Sequence, residues 1–324
     1  MSRALLHIDF AGPHVSLQDG GRPGHMRFGV PASGPMDRLA FAAANLALGN
    51  PADQAGIEVS AGGLALTCRE GTVTLAIAGG GFIVQTGGQR LGSWTVLTLV
   101  EGDRLTLRPG PWGSWAYLAF AARIDAPPWL ESLSTHAASG MGGGAIVSGQ
   151  DLILSGAETR PGRHGPIPCP VMARPRHRLR CVPGPQDRFF AAEVMEDLAR
   201  VVFQVSEAYD RMGTRLKGPA LPPLNALGIP SEPILRGSVQ VSGDGVPTVL
   251  MADHQTTGGY PKIATVLGCD LDAFAQCRPR DRVGFVPVTP DDALMIARAE
   301  HRRTQAYFAS LASTALCGPK AGSV

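Results

Sequence analysis

A mainly β fold is predicted by three observations on the amino-acid sequence. Short apolar runs recur along the first half: VTLAIAG (73–79), TVLTLV (95–100), RLTLR (104–108), WAYLAF (115–120) and DLILS (151–155). Turn residues separate them, with Gly 41 and Pro 27 in 324 residues and no fixed period of the collagen kind. Helical signatures are few and do not alternate with the runs, so a sandwich or barrel is expected rather than βαβ units.

The elements follow in order. A first helix is expected over roughly Met36–Leu48, with Leu39, Ala43 and Leu46 on one face and Gly49-Asn50-Pro51 as its stop. The stretch from Arg160 to Pro185 is rich in Pro and Arg and reads as the crossing between two halves. It is expected to be a solvated linker leading into an edge strand, or else a basic partner surface. A second helix is expected around Arg188–Arg200, carrying Phe189, Val194 and Leu198. A third starts at Pro290, with Thr289 as N-cap, proline at the first position and Asp291-Asp292 in the first turn.

Several function classes drop out. A net charge of +2 without a basic run gives nucleic acid no footing. No apolar window is long enough for a membrane span, and MSRALLHIDFAGPHV lacks a signal-peptide core. Cys68, Cys169, Cys181, Cys269, Cys277 and Cys317 form no CxxC pair, so reduced thiols in a cytoplasmic protein are expected and no metal site. AGGGF (78–82) and SGMGGGA (139–145) do not continue to GK[ST], and neither GxSxG nor HExxH occurs.

Three segments concentrate chemistry. In ADHQTTGGYPKIATV (252–266), the strand PTVLM delivers Asp253, His254 and Gln255 to its end. Thr256, Thr257, Gly258 and Gly259 form a turn before Tyr260, Pro261 and Lys262. Adjacent glycines permit close backbone approach or positive φ, and the exposed N–H groups can make an anion nest. Asp253 is a candidate base, His254 a proton shuttle and Lys262 an electrophilic clamp; a polar hairpin turn is the bland alternative. In VSEAYDRMGTRLKGP (205–219), Asp210 could orient the Arg211 guanidinium for a carboxylate or phosphate, or these could be surface charges on a strand edge. In the segment 16–50, Asp19 and Arg22 precede a glycine-rich loop, Asp37 opens the first helix and Asn45 lies about two turns along. That helix start could hold an anion or simply be capped by Asp37. The first and second halves also echo each other faintly, in the Asp and Arg before a Gly-punctuated strand and in a following Glu (Glu58, Glu232). A duplication or chance similarity would each produce this.

Read together, QDGGRPGHMRFGVPASGPMDRLAFAAANLALGN, VSEAYDRMGTRLKGP, SEPILRGSVQV and ADHQTTGGYPKIATV resemble the signatures of the biotin-dependent carboxyltransferase-like family. That family includes the C subunit of 5-oxoprolinase, the KipA-type proteins and the carboxyltransferase domain of urea carboxylase, and is often labelled allophanate hydrolase subunit 2. The resemblance runs from about Val15 to Val286. It implies two cyclophilin-like β-barrel domains, 1–172 and 173–324, with a few peripheral helices and the active-site cleft between them. It also implies two partner proteins, one KipI-like and one LamB-type. Tyr209, where the family usually has Ser, and Arg123, where it commonly has glycine, depart from the pattern.

Three functions are then in play. The first is a subunit of an ATP-dependent 5-oxoprolinase, inactive alone, with ATP held mostly by a partner. In it Arg211, Lys262 and the Thr256–Gly259 turn would meet carboxylate, phosphate and developing oxyanions. The second is a carboxyltransferase acting on urea or a similar amide, with carboxybiotin supplied by another chain. The third is a KipA-like module that binds a KipI-like kinase inhibitor and is not an enzyme.

Overall fold

The computed structural model describes residues 2–224 and 229–313; Cys317 lies outside them. Within the described residues the protein is mainly β, with several sheets, one closed barrel and four helices, α1 (Arg38–Leu48), α2 (Ala192–Arg200), α3 (Gly268–Ala275) and α4 (Pro290–Ser313). The chain divides into two compact units. Among the described residues, the first holds 2–21, Asp37–Ala173 and 303–313, and the second holds Arg22–Met36 and those of Arg174–Arg302.

In the first unit the strands form a seven-stranded and a six-stranded sheet. Arg3–Ala11 alternates, with Ala4, Leu6 and Ile8 inward, as a strand with one wet face should. Thr72–Ala78 and Trp115–Phe120 are instead buried along nearly their whole length. Their unbroken apolar runs make sense because α1 covers the outer face, with Phe41 packing edge-on against Tyr117 at 5.6 Å between centroids. Asp37 caps α1 by accepting the Ala40 N–H at 2.9 Å, and Gly49 ends it at a φ of 82°.

The second unit contains the closed barrel. Its seven strands run in the ring order Arg178–Pro183, Lys262–Val266, Ser238–Val241, Pro247–Leu250, Gly213–Lys217, Phe203–Tyr209 and Arg282–Pro287. All pairs are antiparallel except the closing one, where Arg178–Pro183 runs parallel to Arg282–Pro287. Leu179, Val205, Leu216, Val239, Val249 and Val283 fill the interior, and Phe203 meets Phe285 edge-on at 5.8 Å. The loop Arg22–Met36 belongs to this unit: Arg236 donates to the carbonyls of Pro35 and Met36 at 3.3 and 2.6 Å.

One closed barrel is found among the described residues, and the first unit's strands form two sheets. Two expectations are corrected. The strand after the Pro/Arg-rich crossing is no edge strand, because a closed ring has none and Arg178–Pro183 is paired on both sides. The helix expected from Arg188 begins at Ala192, since Asp187–Phe189 forms a 3-10 turn and Phe190 and Ala191 are extended. Helix α3, which no sequence signal announces, carries no side-chain cap; its Asp270 turns to Arg176 and Arg180 at 2.9 and 2.5 Å instead. By contrast, α4 starts as its local signal demands, with the Thr289 hydroxyl accepting the Asp292 N–H at 3.1 Å. No described helix is long and apolar enough to cross a membrane.

Candidate functional site

The second unit brings most of the sequence candidates together. Strand Pro247–Leu250 lies beside Gly213–Lys217, so the residues just past their paired ends meet: the Asp253 N–H donates to the Arg211 carbonyl at 2.7 Å. The side chains then form a bidentate pair, with Arg211 Nε on Asp253 Oδ2 and Nη2 on Oδ1, both at 2.9 Å. Arg211 is 2% exposed and Asp253 0%. Arg211 Nη2 also donates to the Gly34 carbonyl at 2.7 Å, fastening the Arg22–Met36 loop. The expected Asp210–Arg211 pair does not form, because the Asp210 carboxylate accepts the Met212 and Gly213 N–H groups at 2.8 and 3.1 Å and shapes the turn itself.

His254 follows, nearly buried, with Nδ1 2.7 Å from the Gln255 carbonyl. A carbonyl only accepts, so Nδ1 carries the proton and Nε2 presents its lone pair. Burial, and secondarily the Arg236 cation, hold the imidazole below its ordinary pKa, so it is neutral at pH 7.

The turn beyond is a short ribbon, Thr257–Gly258 paired antiparallel with Glu232–Pro233. Neither Gly258 nor Gly259 has positive φ. Close approach is what Gly258 supplies: a Cβ there would lie 2.5 Å from Ile234 Cδ1 and 2.8 Å from Gln240 Nε2. Thr257 and Tyr260 are exposed.

Lys262, 2% exposed, points its Nζ to Glu232 Oε2 at 3.5 Å. The Glu232 side chain is 45% exposed, so solvent screens the pair and leaves it open on one side. Gln186 ties the two together, donating to Glu232 at 2.8 Å and accepting the Lys262 N–H at 2.9 Å. Gln240 sits opposite Lys262 in the strand register, and its Oε1 accepts from Gln255 Nε2 at 3.1 Å. Its own Nε2 is buried with no hydrogen-bond partner among the described residues. Such a donor costs about 1–3 kcal/mol.

Arg22 is the other second-unit candidate, buried, with its N–H on the Ala32 carbonyl at 2.8 Å. Asp19, Asp37 and Asn45 belong to the first unit. Asp19 accepts from the Ser132 and Ser134 hydroxyls, both at 2.7 Å, and from the Gly21 N–H at 2.9 Å. Asp37 caps α1, and its N–H donates to the Tyr117 hydroxyl at 2.7 Å. Asn45 donates to the Gln54 carbonyl at 2.8 Å and accepts from Asn50 at 3.2 Å. Asp37 thus makes the cap that its alternative reading describes.

Sequence reasoning assigned no roles to Gln186, Arg236 and Gln240, and met Glu232 only as part of the internal echo. Glu232, Arg236 and Gln240 all lie within or next to SEPILRGSVQV, a segment recognised as a unit but not resolved into side chains. Separately, His177 joins Cys277 and Asp281, a hundred residues further on, with possible ligand atoms within 4.8 Å of one another. Burial, with Asp281 adding to it, pushes the Cys277 thiol up to about 12, which opposes the thiolate that a metal requires.

Comparison with known proteins agrees with the motif reading. Residues 28–287 match the family described as carboxyltransferase domain, subdomain A and B. The chain is 33% identical over 310 residues to the C subunit of the 5-oxoprolinase of Escherichia coli strain K12, covering 95% of this chain and 98% of that protein. It is 28% identical to urea amidolyase of Saccharomyces cerevisiae, covering 91% of this chain but 17% of that much longer protein. The crystal structure of the K. lactis urea amidolyase superimposes with a TM-score of 0.83 at 25% identity, over 95% of this chain and 20% of that one. With the match spanning most of its length, the chain belongs to the carboxyltransferase domain, subdomain A and B, family.

Proposed function

We propose that this chain is the C-type subunit of an ATP-dependent 5-oxoprolinase, which opens 5-oxoproline to glutamate together with a KipI-like and a LamB-type partner in the cytoplasm. The observation that carries the reading is the nearly end-to-end similarity to the bacterial C subunit, whereas the urea enzymes match only as part of a far longer chain. In the same reading residues 1–172 and 173–324 are two cyclophilin-like domains, the second borrowing the loop Arg22–Met36.

A lactam carbonyl is a poor electrophile, and ATP supplies the energy by turning its oxygen into a phosphate leaving group. With no glycine-rich nucleotide loop in this chain, ATP is held mostly by a partner. This chain's contribution is binding and proton handling. His254 Nε2 takes a proton from the attacking water, and Lys262, half released by the solvated Glu232, balances the developing anion. Gln255, the hydroxyls of Thr256 and Thr257, and the backbone from Gly258 to Tyr260 line the substrate. Asp253 has both oxygens on Arg211, which suits positioning rather than base catalysis: the pair fixes the approach to His254 and the Gly34 loop.

The match to urea amidolyase favours one second reading, carboxyl transfer to an amide from carboxybiotin borne by another chain. A KipA-like regulatory module would keep the partner and lose the turnover. Release of ADP and glutamate, measured on the chain alone and on the co-expressed complex with urea as control, separates the three. Turnover only in the complex and only with 5-oxoproline is expected. Lys262→Glu is expected to abolish that turnover and leave complex formation intact; full activity in that variant would sink the site assignment.

A further inference from the structure

Gln240 is a polar residue of the second unit whose hydrogen-bonding capacity its own fold leaves partly unused. It lies in the barrel strand Ser238–Val241, 5% exposed, and its Oε1 is occupied by Gln255. Its Nε2 has two hydrogens and no acceptor among the described residues, and it faces the Gly258 backbone where a side chain would otherwise stand. Stable interiors pair such donors, so a persistently unpaired one at the edge of a candidate site points to an acceptor that arrives from outside.

We infer that Gln240 Nε2 is the donor for the lactam carbonyl oxygen of the substrate, and so the residue that separates a cyclic amide from a simple cyclic amine. The inference rests on the function proposed above. A lactam presents its C=O and N–H on one edge. Gln240 Nε2 offers the donor, and Gln255, whose Nε2 is engaged by Gln240 Oε1, offers its Oε1 as an acceptor. The lid over the donor is slight. Thr257–Gly258 is held by its pairing with Glu232–Pro233 and by the Ile234 N–H on the Thr256 carbonyl at 3.0 Å. For the substrate oxygen to reach the amide, that ribbon has to give way by a few tenths of an ångström or more at Gly258. A site that has committed a buried donor also rejects an analogue without the oxygen.

The test is steady-state kinetics of the complex co-expressed with its partner subunits, with 5-oxoproline as substrate and L-proline, which lacks the carbonyl, as competitor. Gln240→Met keeps length and removes the donor. It is expected to raise the KM for 5-oxoproline roughly 10- to 100-fold, leave the KM for ATP and the Ki for L-proline unchanged, and leave the thermal midpoint no lower than wild type. Gln240→Leu, which likewise removes the donor without adding a charge beside Lys262, serves in its place if the methionine variant does not fold, with the same pattern expected. An unchanged KM for 5-oxoproline, or equal losses for 5-oxoproline and L-proline, overturns the role of Gln240. A wild-type complex that never turns over 5-oxoproline instead overturns the functional reading, and this inference with it.

Discussion

Two glutamates occupy matching places in the faint internal echo, and the two units treat them differently. Glu58 in the first unit is fully buried and accepts from the Tyr117 hydroxyl at 3.0 Å, which in turn accepts the N–H of the capping residue Asp37. Burial, with Glu58 and Asp37 adding to it, raises the Tyr117 phenol well above its usual pKa, so the hydroxyl stays a donor. Glu232 in the second unit is half in water and shares a buried lysine at 3.5 Å, and Gln240, opposite that lysine in the strand register, keeps an amide donor with no partner among the described residues. One network is completed within the fold, the other left open. The difference marks which glutamate supports structure and which faces chemistry. Gln18, whose Oε1 is also unpartnered in the first unit, shows that leftover capacity alone is a weaker sign than leftover capacity beside a buried cation.

The largest expected break of this comparison lies beneath the open network. Arg211→Met removes the bidentate guanidinium from a carboxylate that is fully buried. It is expected to cost about 3–5 kcal/mol and to release the Gly34 loop as well. Chemical denaturation measures the first effect, and limited proteolysis within residues 22–36 the second. A loss under about 1 kcal/mol would mean that Asp253 is solvated or protonated in the variant at little cost. In the closed network, Tyr117→Phe is expected to cost about 1–3 kcal/mol by removing the hydroxyl that accepts the Asp37 N–H and donates to Glu58, with kcat and KM of the folded complex unchanged.

Glycine substitutions sharpen the same contrast with smaller effects. Gly56→Ala would press its Cβ within 2.5 Å of the Leu118 carbonyl, and Gly258→Ala within 2.5 Å of Ile234 Cδ1. Each is overpacked, an effect of about 1–3 kcal/mol. The neighbour of Gly56 is backbone in a buried sheet, so the loss should appear as a lower melting temperature at unchanged specific activity. At Gly258 the neighbours are the flexible ends of Ile234 and Gln240, which can shift. There the loss should appear in KM for substrate and much less in stability. Equal effects on both properties at both sites would erase the distinction between frame and site.

What the sequence reveals of this is uneven, for physical reasons. The strands at 72–78, 95–100, 104–108, 115–120 and 151–155 and the start of α4 are legible because their signals are local: apolar runs between turns, and a threonine three residues before an aspartate. Barrel closure is not, because its last pairing joins Arg178–Pro183 to Arg282–Pro287 across the whole second unit. Arg211 can be singled out, but its partner cannot be named from sequence neighbours, since Asp210 is spent on turn amides. Gln240 is hidden for a different reason. A glutamine between two valines reads as the outward residue of an alternating strand, yet the ribbon at Thr257–Gly258 covers that face.

The smallest effect concerns pH, and it tests whether His254 is the neutral base of the open network. Its pKa is depressed in the folded protein, chiefly by burial. A group depressed on folding binds its proton more readily in the unfolded chain. Its contribution to stability is therefore complete above the unfolded value of about 6.5 and is lost as pH falls through the folded value. Wild type should lose melting temperature between neutral pH and mild acid, and His254→Asn should lose less over the same interval. The kcat/KM of the complex should show an acid limb on that side of neutrality, because protonation of Nε2 removes the lone pair that accepts from water. If the acid limb persists unchanged in a residually active His254→Asn complex, the titrating group is elsewhere.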